Sequence, residues 1–307
     1  MMVLRRFEIH QPSSVNEAVE MMSHFGEDAS LYAGGTELLL AMKHDVLRYK
    51  HLVDVKVIPG LDSIELCDGM IRIGAAATHR SLERSSLLTS RLPVFANMES
   101  FVANVRVRNT GTVGGNLCFA EPHSDPATLL LALGASVAAE GPQGRREIPM
   151  DDFFTGSYQT CLERNELLTA IQIPVAAANW RSAYVKFQIH ERPMLGLALA
   201  LETADGGAQA RERAALIDGE TFRTARVAIG CVSPCARRSA AAERFLTGAR
   251  RDVERSLPLA AEALADAAEL IDDQQGSAEY KRHLIHVFLK RAFVKALEGN
   301  TGGKFVP

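Results

Sequence analysis

The sequence predicts an α+β protein, because three patterns follow one another along it. Strand and helix patterns alternate at the start, hairpin patterns fill the middle, and long amphipathic helices form the end. The 307 residues favour two domains and leave ample material for buried cores. Hydrophobic residues make up 47% and charged residues 23%, which is the balance of a globular protein rather than of a disordered one.

Charge and cysteine content exclude several classes of function. The formal net charge of -3 gives no electrostatic reason to expect a nucleic acid partner. The N-terminus has no apolar run typical of a signal peptide, and no stretch approaches the roughly 20 apolar residues of a transmembrane helix. The cysteines are scattered and odd in number, which argues against a disulfide framework and favours a cytoplasmic protein. They are Cys67, Cys118, Cys161, Cys231 and Cys235.

The first 57 residues predict a compact unit in which strands alternate with helices. Residues 13–25 predict a helix, since Ser13 or Ser14 can cap it and Glu17 completes the capping pattern. The run SLYA predicts a strand that leads through Gly34 and Gly35 into a second helix over residues 36–48. HLVDV predicts another strand, and the alternation favours parallel pairing.

Beyond residue 60 the pattern changes to hairpins. One hairpin is predicted to turn at Asp68–Gly69, a second around residues 141–144, and the strand LLTAIQIPV follows. Residues 175–182 are predicted to be a linker. Strands are then predicted at 183–189, 195–203 and 224–232, and helices at 257–271 and 278–297. On the last helix we expect an apolar face that includes Tyr280 and Val294, and a solvated face made by Lys281, Arg282, Lys290 and Arg291.

Two glycine pairs indicate places where the backbone approaches something closely. In LYAGGTELLL, a strand runs into Gly34–Gly35 and a helix is predicted to open at Thr36 or Glu37, so unpaired N–H groups could face a phosphate. TVGGN, residues 112–116, repeats the pattern within a stretch that otherwise looks like a strand. Together the two loops could clamp a pyrophosphate. Ordinary turns and bulges explain most such pairs, so the glycines alone leave both interpretations open.

Several longer stretches resemble one family. AGGTELLLAMKHDVLRYKHLVDV, VRNTGTVGGNL and DPATLLLALGASV together resemble the FAD-binding medium subunit of the molybdenum hydroxylases, which include carbon monoxide dehydrogenase and the flavin domain of xanthine dehydrogenase. The resemblance runs nearly end to end and includes MDDFFTGSYQTCLERNELLTAIQIP and GSAEYKRHLIHVFLKRAFVKAL. It implies the FAD fold of the vanillyl-alcohol oxidase (PCMH) type over residues 1–176, in subdomains of about 1–57 and 58–176. A C-terminal domain over 177–300, with a small antiparallel sheet and helices, completes the expectation.

The resemblance also implies which residues bind FAD, and it assigns no catalytic residue and no metal ligand to this chain. One side of the pyrophosphate would be held by Leu31, Tyr32, Ala33, Gly34, Gly35, Thr36, Glu37 and Leu38, and the other by Thr112, Val113, Gly114, Gly115 and Asn116. Val102, Asp125, Leu168 and Lys186 match further cofactor positions. Asp125 would accept hydrogen bonds from ribityl or sugar hydroxyls, with helix capping as the alternative. Lys186 would lie by the flavin N1–C2 edge, with a surface lysine as the alternative.

The same resemblance implies partners. Because the chain lacks the clustered cysteines of iron–sulfur centres, the molybdopterin and the [2Fe-2S] clusters should belong to a large and a small partner subunit. Electrons would reach this FAD and pass to NAD, quinone or oxygen, in a dimer of heterotrimers. A self-sufficient FAD oxidase or dehydrogenase of the same fold, or a scaffold that has lost flavin, are the alternatives.

The chain departs from many relatives in QIHERPMLGLAL, where Glu191-Arg192-Pro193-Met194 replaces an acidic-aromatic pair.

Overall fold

A three-stranded parallel sheet forms the N-terminal part of the chain. The computed structural model describes residues 4–175, 179–189, 192–204 and 220–299. The sheet has the order β1-β3-β2, and both strand pairs are parallel, as predicted. Its elements are β1 (Glu8–His10), α1 (Val15–Phe25), a 3-10 turn (Gly26–Asp28), β2 (Ala29–Tyr32), α2 (Leu38–Lys43), β3 (His51–Asp54) and a second 3-10 turn (Val55–Val57).

The first helix begins as the sequence predicts, whereas the second is shorter. The hydroxyl of Ser14 accepts the amide N–H of Glu17, and the Glu17 carboxylate accepts the amide N–H of Ser13 at 2.6 Å, which is the reciprocal capping arrangement. Helix α2 ends at Lys43 instead of reaching residue 48. Asp45 has a left-handed φ of 59°, which cannot continue a helix, and Arg48 binds its carboxylate.

A five-stranded antiparallel sheet accompanied by seven helices forms the middle of the chain. Its order is β4-β5-β10-β6-β7. The predicted hairpins are confirmed, and the first turns at Asp68 and Gly69, whose φ values are 50° and 75°. The elements are β4 (Ile64–Cys67), β5 (Met70–Gly74), α3 (His79–Arg84), α4 (Ser86–Arg91), α5 (Pro93–Glu99), α6 (Val105–Thr110), α7 (Val113–Phe119), α8 (Asp125–Leu133), β6 (Ser136–Gly141), β7 (Gly144–Pro149), α9 (Met150–Phe153), β8 (Phe154–Gly156), β9 (Gln159–Thr160) and β10 (Leu167–Pro174).

The C-terminal part combines an antiparallel sheet with two long helices. The sheet has the order β11-β12-β13-β14, and β15 pairs with β13. The predicted linker is wrong in part, because Trp180, Arg181 and Ser182 belong to the first strand, while Ala176–Ala178 lie outside the described residues. The elements are β11 (Trp180–Phe187), β12 (Leu195–Thr203), β13 (Thr221–Gly230), β14 (Arg237–Arg238), α10 (Ala240–Phe245), β15 (Gly248–Ala249), α11 (Arg250–Ala267) and α12 (Ala278–Glu298).

One face of α12 differs from the predicted pattern. Lys281, expected in solvent, is fully buried, and its Nζ donates to the backbone oxygen of Ile271 at 2.9 Å and to the carboxylate of Asp273. Tyr280 and Val294, expected in the core, are 41% and 47% exposed. The first turn of α12 packs over the loop that precedes it, and that loop supplies the acceptors that a buried ammonium requires.

The described helices give no candidate for a membrane span, since none of them is both long and apolar enough.

Candidate flavin site

The two glycine loops meet each other, although they lie far apart in sequence. A Cβ on Gly34 would lie 2.3 Å from the backbone oxygen of Thr110 and 2.6 Å from Cα of Gly111. Any side chain at Gly34 would therefore separate the two loops. This contact between the loops explains why residue 34 is a glycine, and it brings the two predicted binding segments together.

The first loop presents a row of unpaired amide groups. Within the described residues, no backbone or side-chain acceptor takes a hydrogen bond from the amide N–H of Gly34, Gly35, Thr36, Glu37 or Leu38. Gly35 adopts the left-handed conformation, with φ of 68°, in the middle of this row. Successive N–H groups around such a residue form a concave nest that suits an anion. We call residues 34–38 the amide cradle.

A cation that the sequence reasoning missed lies at the base of the cradle. Lys56 donates to the backbone oxygen of Ala33 at 2.9 Å and to Asp54 at 2.8 Å. Its ammonium also lies 3.9 Å from the ring centre of Tyr32, a cation–π contact. Lys56 follows β3, and β3 pairs with β2, so the parallel register places it beside the loop that β2 enters. It anchors that loop and adds positive charge there.

The second loop is helical, so the expectation of a strand-like segment is wrong. Thr112 caps α7, and its hydroxyl accepts the amide N–H of Gly115 at 3.1 Å. The amides of Val113 and Gly114 donate to the backbone oxygens of Ala77 and Ala75, at 3.0 Å and 2.9 Å. The first amides of this helix are thus used inside the protein. The second loop does not repeat the cradle.

Gly114 and Gly115 have different roles. A Cβ on Gly114 would lie 2.5 Å from the backbone oxygen of Ala75, so this glycine is needed for packing against the strand end. Gly115 is exposed and half-buried Asn116 follows it. The Asn116 side-chain oxygen accepts the Ser124 hydroxyl at 2.6 Å, and within the described residues its NH₂ group has no acceptor. What this loop offers a ligand is therefore slim backbone at Gly115 and the amide of Asn116.

Asp125 and Lys186 form a buried ion pair between the middle and C-terminal parts of the chain. The Lys186 ammonium lies 2.9 Å from the Asp125 carboxylate and also donates to the Phe101 backbone oxygen at 2.6 Å. Tyr184 donates to the other Asp125 oxygen at 2.5 Å. Burial, with the charge of Asp125, raises the pKa of Tyr184 well above its usual value, so this phenol stays a donor. Lys186 keeps one N–H available for a further acceptor.

Two alternatives from the sequence are wrong at this pair. Asp125 is not the helix cap, since the Ser124 hydroxyl accepts the amide N–H of Ala127 at the start of α8. Lys186 is not a surface lysine, because only 14% of its side chain is exposed.

Val102 directly follows the residue whose carbonyl Lys186 binds, and Leu168 on β10 belongs to the same apolar core as Val102. The predicted residues Val102, Asp125 and Lys186 thus lie together.

Arg192 bridges the two loops from the C-terminal part of the chain. Its guanidinium lies 2.8 Å from the Glu121 carboxylate, just after the second loop, and 3.4 Å from the carboxylate of Glu37 in the cradle. Burial disfavours the charge on Glu121, but the hydrogen bond and charge of His123 and the charge of Arg192 outweigh it and lower its pKa. Arg192 occupies the segment that the sequence predicts to differ from many relatives; His190 and Glu191 lie outside the described residues.

Behind the second loop lies a buried histidine–glutamate pair. The amide of His79 donates to the backbone oxygen of Gly111, and the His79 ring lies 2.7 Å from Glu99. Burial raises the pKa of the Glu99 carboxyl, although its contact with His79 acts in the opposite direction. The sequence gives no signal for this pair, because its members become neighbours only when α3 packs against α5. It supports the loop from beneath.

Comparisons with known proteins match both parts of the chain. Residues 5–176 match the family described as FAD binding domain in molybdopterin dehydrogenase. Residues 204–296 match the CO dehydrogenase flavoprotein C-terminal domain. The first match covers more than half of the chain and contains the cradle, the second loop and Asp125.

Similar proteins match nearly end to end. The chain is 34% identical to the carbon monoxide dehydrogenase medium chain of Hydrogenophaga pseudoflava, over 95% of this chain and 97% of that one. It is 29% identical to the xanthine dehydrogenase FAD-binding subunit of Escherichia coli O157:H7, over 96% and 97%. A crystallised carbon monoxide dehydrogenase from Hydrogenophaga pseudoflava superposes with a TM-score of 0.87 and 34% identity, over 97% and 99%. The chain therefore belongs to the FAD-binding medium subunits of the molybdenum hydroxylases, oxidoreductases in which this subunit carries the FAD.

Proposed function

We propose that this chain conducts electrons, through its FAD, from the [2Fe-2S] clusters of a small partner subunit to an external acceptor: NAD, quinone or oxygen. A large molybdopterin-binding subunit would oxidise the substrate. FAD, when bound, supplies a centre that accepts electrons singly and releases them singly or in pairs. The amide cradle carries this proposal, since five unpaired N–H groups beside a lysine match the charge and acceptor oxygens of a pyrophosphate.

Each segment of the site has a separate task in this proposal. Residues 31–38 bind the pyrophosphate through backbone donors, and Lys56 offsets part of its charge. Residues 112–116 lie on the opposite side, where Gly115 leaves room and the Asn116 amide donates. The buried Asp125 holds the Lys186 ammonium in place, so its remaining N–H can donate to the flavin ring. Val102 and Leu168 supply apolar surface that excludes water.

The domain division and the assembly belong to the same proposal. Residues 1–176 would form the FAD-binding domain, in two subdomains that meet at the contact between Gly34 and Thr110. Residues 177–300 would form the C-terminal domain, which reaches the site through Lys186 and Arg192. We further propose a dimer of heterotrimers in the cytoplasm. In this proposal, the ion contacts of Lys186 and Arg192 make both domains part of the complete site.

Electron transfer is tested directly with the separately purified subunits. The small [2Fe-2S] subunit is reduced with dithionite, desalted and mixed without oxygen with this chain loaded with FAD. We expect cluster oxidation and flavin bleaching at matching rates, and no cluster oxidation by the FAD-free chain. Addition of NAD, a quinone or oxygen then identifies the acceptor that restores the flavin colour. Direct bleaching by an aldehyde or N-heterocycle, without the other subunits, would instead support the self-sufficient oxidase or dehydrogenase.

A further inference from the structure

The far end of the N-terminal sheet gathers two imidazoles and a carboxylate. Glu8 and His10 lie on β1, and His51 begins β3. The parallel register pairs Glu8 with His51, and residues two apart on a strand point to the same face, so all three side chains share one face. Glu8 and His51 begin their strands, whereas the cradle follows the carboxyl end of β2. None of the three residues belongs to the segments assigned to the flavin.

The three ligand atoms are spaced as around a small metal ion. His10 Nε2 lies 3.1 Å from His51 Nδ1, and the Glu8 carboxylate oxygen lies 3.9 Å and 3.6 Å from these nitrogens. A tetrahedral zinc ion with bonds of about 2.0–2.1 Å requires ligand atoms about 3.3 Å apart. The observed spacings bracket that value. The Glu8 side chain is 74% exposed, so its carboxylate has room to move closer.

Both imidazoles are held in place before any ion binds. The ring of Phe25 stacks on His51, with centres 4.1 Å apart and planes within 16°, and lies 4.7 Å from the His10 ring. The side chains of His10 and His51 are only 23% and 22% exposed. Packing therefore fixes the orientation of both rings, which lowers the entropic cost of ligation.

We propose that Glu8, His10 and His51 form a site for a divalent transition metal, with zinc as the preferred occupant. Imidazole nitrogen with one carboxylate selects zinc or its neighbours over magnesium and calcium, which prefer oxygen ligands. Three protein ligands leave a fourth position for water. The ion would cross-link β1 to β3 and so fasten the sheet from which the cradle extends. The sequence alone predicts no metal ligand in this chain, because these ligands come from separate strands.

The test uses the full-length chain, freed of metal with EDTA and desalted. Zinc is titrated against a chromophoric chelator, and cobalt is added to separate samples to record the visible absorption of tetrahedral coordination. We expect one equivalent per chain. In His51→Gln we expect binding weaker by about tenfold or more, since losing a direct ligand should weaken binding at least as much as losing its outer-shell partner. Glu8→Gln, at an exposed position that does not threaten folding, should also bind less tightly.

His283→Gln is the matched control, because His283 is an exposed histidine on α12, far along the chain from the proposed ligands. It should bind zinc like the wild type, and FAD content should be equal in all four proteins. At the same zinc concentration, zinc should raise the melting temperature of the wild type more than that of His51→Gln. Absence of zinc uptake by the wild type would overturn the proposal. Unchanged affinity in both His51→Gln and Glu8→Gln, or an equal loss in His283→Gln, would overturn it too.

Discussion

The ammonium of Lys186 lies 2.9 Å from the carboxylate of Asp125, and this buried contact joins the C-terminal sheet to helix α8. Each side chain is at least 86% buried, so neither charge can be hydrated in place of its partner. Removing one partner leaves an uncompensated charge, which is far more destabilising than replacing both. Two residues that we assign to the flavin site therefore also contribute to the stability of the fold.

Replacing one member of this pair should destabilise the fold. We expect Lys186→Met to lower the free energy of unfolding by about 3–5 kcal/mol, because Asp125 stays buried without its cation. The double variant Lys186→Met with Asp125→Asn should recover part of that loss. Urea unfolding of the wild type, Lys186→Met and the double variant measures the three free energies of unfolding. A double variant less stable than Lys186→Met would contradict the coupling.

The amide cradle predicts a defect in flavin binding at Gly35. Gly35→Ala forces a side chain into a left-handed conformation and should cost about 1–2 kcal/mol. Gly69→Ala imposes the same strain in a hairpin turn where an added Cβ meets nothing within 4 Å. Gly35→Ala should lose more stability than Gly69→Ala, since its Cβ would also lie 2.5 Å from Cε2 of Tyr32. Only Gly35→Ala should lose FAD, measured from the ratio of flavin to protein absorbance. Equal flavin content in both variants would refute the cradle.

Gly114 should behave as a packing residue instead. Gly114→Ala places a Cβ 2.5 Å from the Ala75 backbone oxygen, so helix α7 must move away from the strand end. We expect a loss of roughly 1–3 kcal/mol, as for other overpacked sites, together with weaker FAD binding. Hydrogen exchange of the amides of residues 113–117 should accelerate. A variant with native exchange and low flavin would place Gly114 against the ligand after all.

Arg192 predicts a salt-dependent contribution to FAD affinity. Arg192→Ala removes the cation between Glu37 and Glu121 beside a site for a charged pyrophosphate. At a half-exposed position we expect about 1 kcal/mol, or roughly fivefold weaker FAD binding at low ionic strength, and less in high salt. Arg251→Ala, at an exposed arginine of α11, is the control and should bind FAD normally. Fluorescence titration with FAD at two salt concentrations distinguishes the variants; a loss that does not depend on salt would exclude the electrostatic cause.

The buried Lys281 predicts how stability depends on acid. Burial raises the pKa of Asp273, but hydrogen bonds from Lys281 and two backbone amides outweigh it, so the pKa lies below that of an ordinary aspartate. A carboxyl with a lowered pKa stabilises the fold above its unfolded pKa, and that contribution is lost as the pH falls through its folded pKa. Lys281→Met should therefore be destabilised by about 1.5–3 kcal/mol at neutral pH and approach the wild type in acid. The exposed Lys290→Met should match the wild type at every pH; a Lys281→Met deficit that persists in acid would show a packing effect.

Local patterns predicted the local elements well. The Ser14 cap, the Asp68–Gly69 hairpin and the parallel N-terminal strands each follow from neighbouring residues. The family resemblance is confirmed, as is the α+β fold that it implied. Helix α7 was missed because two glycines lower its intrinsic helix propensity, and packing against Ala75 overrides that propensity.

The features that escaped prediction depend on residues distant in sequence. Lys281 lies on the polar side of a helical wheel. The carboxylate and carbonyl that accept its hydrogen bonds belong to a preceding loop, and hydrophobic periodicity does not predict the path of a loop. Arg192 reaches Glu37 across more than half of the chain. Glu8, His10 and His51 converge only through strand register. In each case the three-dimensional arrangement, rather than the local pattern, decides the role of the side chain.

The contact between Gly34 and Thr110 also orders the maturation of the protein. The cradle reaches its final position against the second loop only after the parallel sheet has docked onto the middle of the chain, so a nascent chain that ends at α2 lacks a complete flavin site. We therefore expect flavin capture to follow long-range folding rather than to nucleate it. Under this order, the rate at which newly made chains turn yellow is set by their own folding and does not rise with surplus FAD.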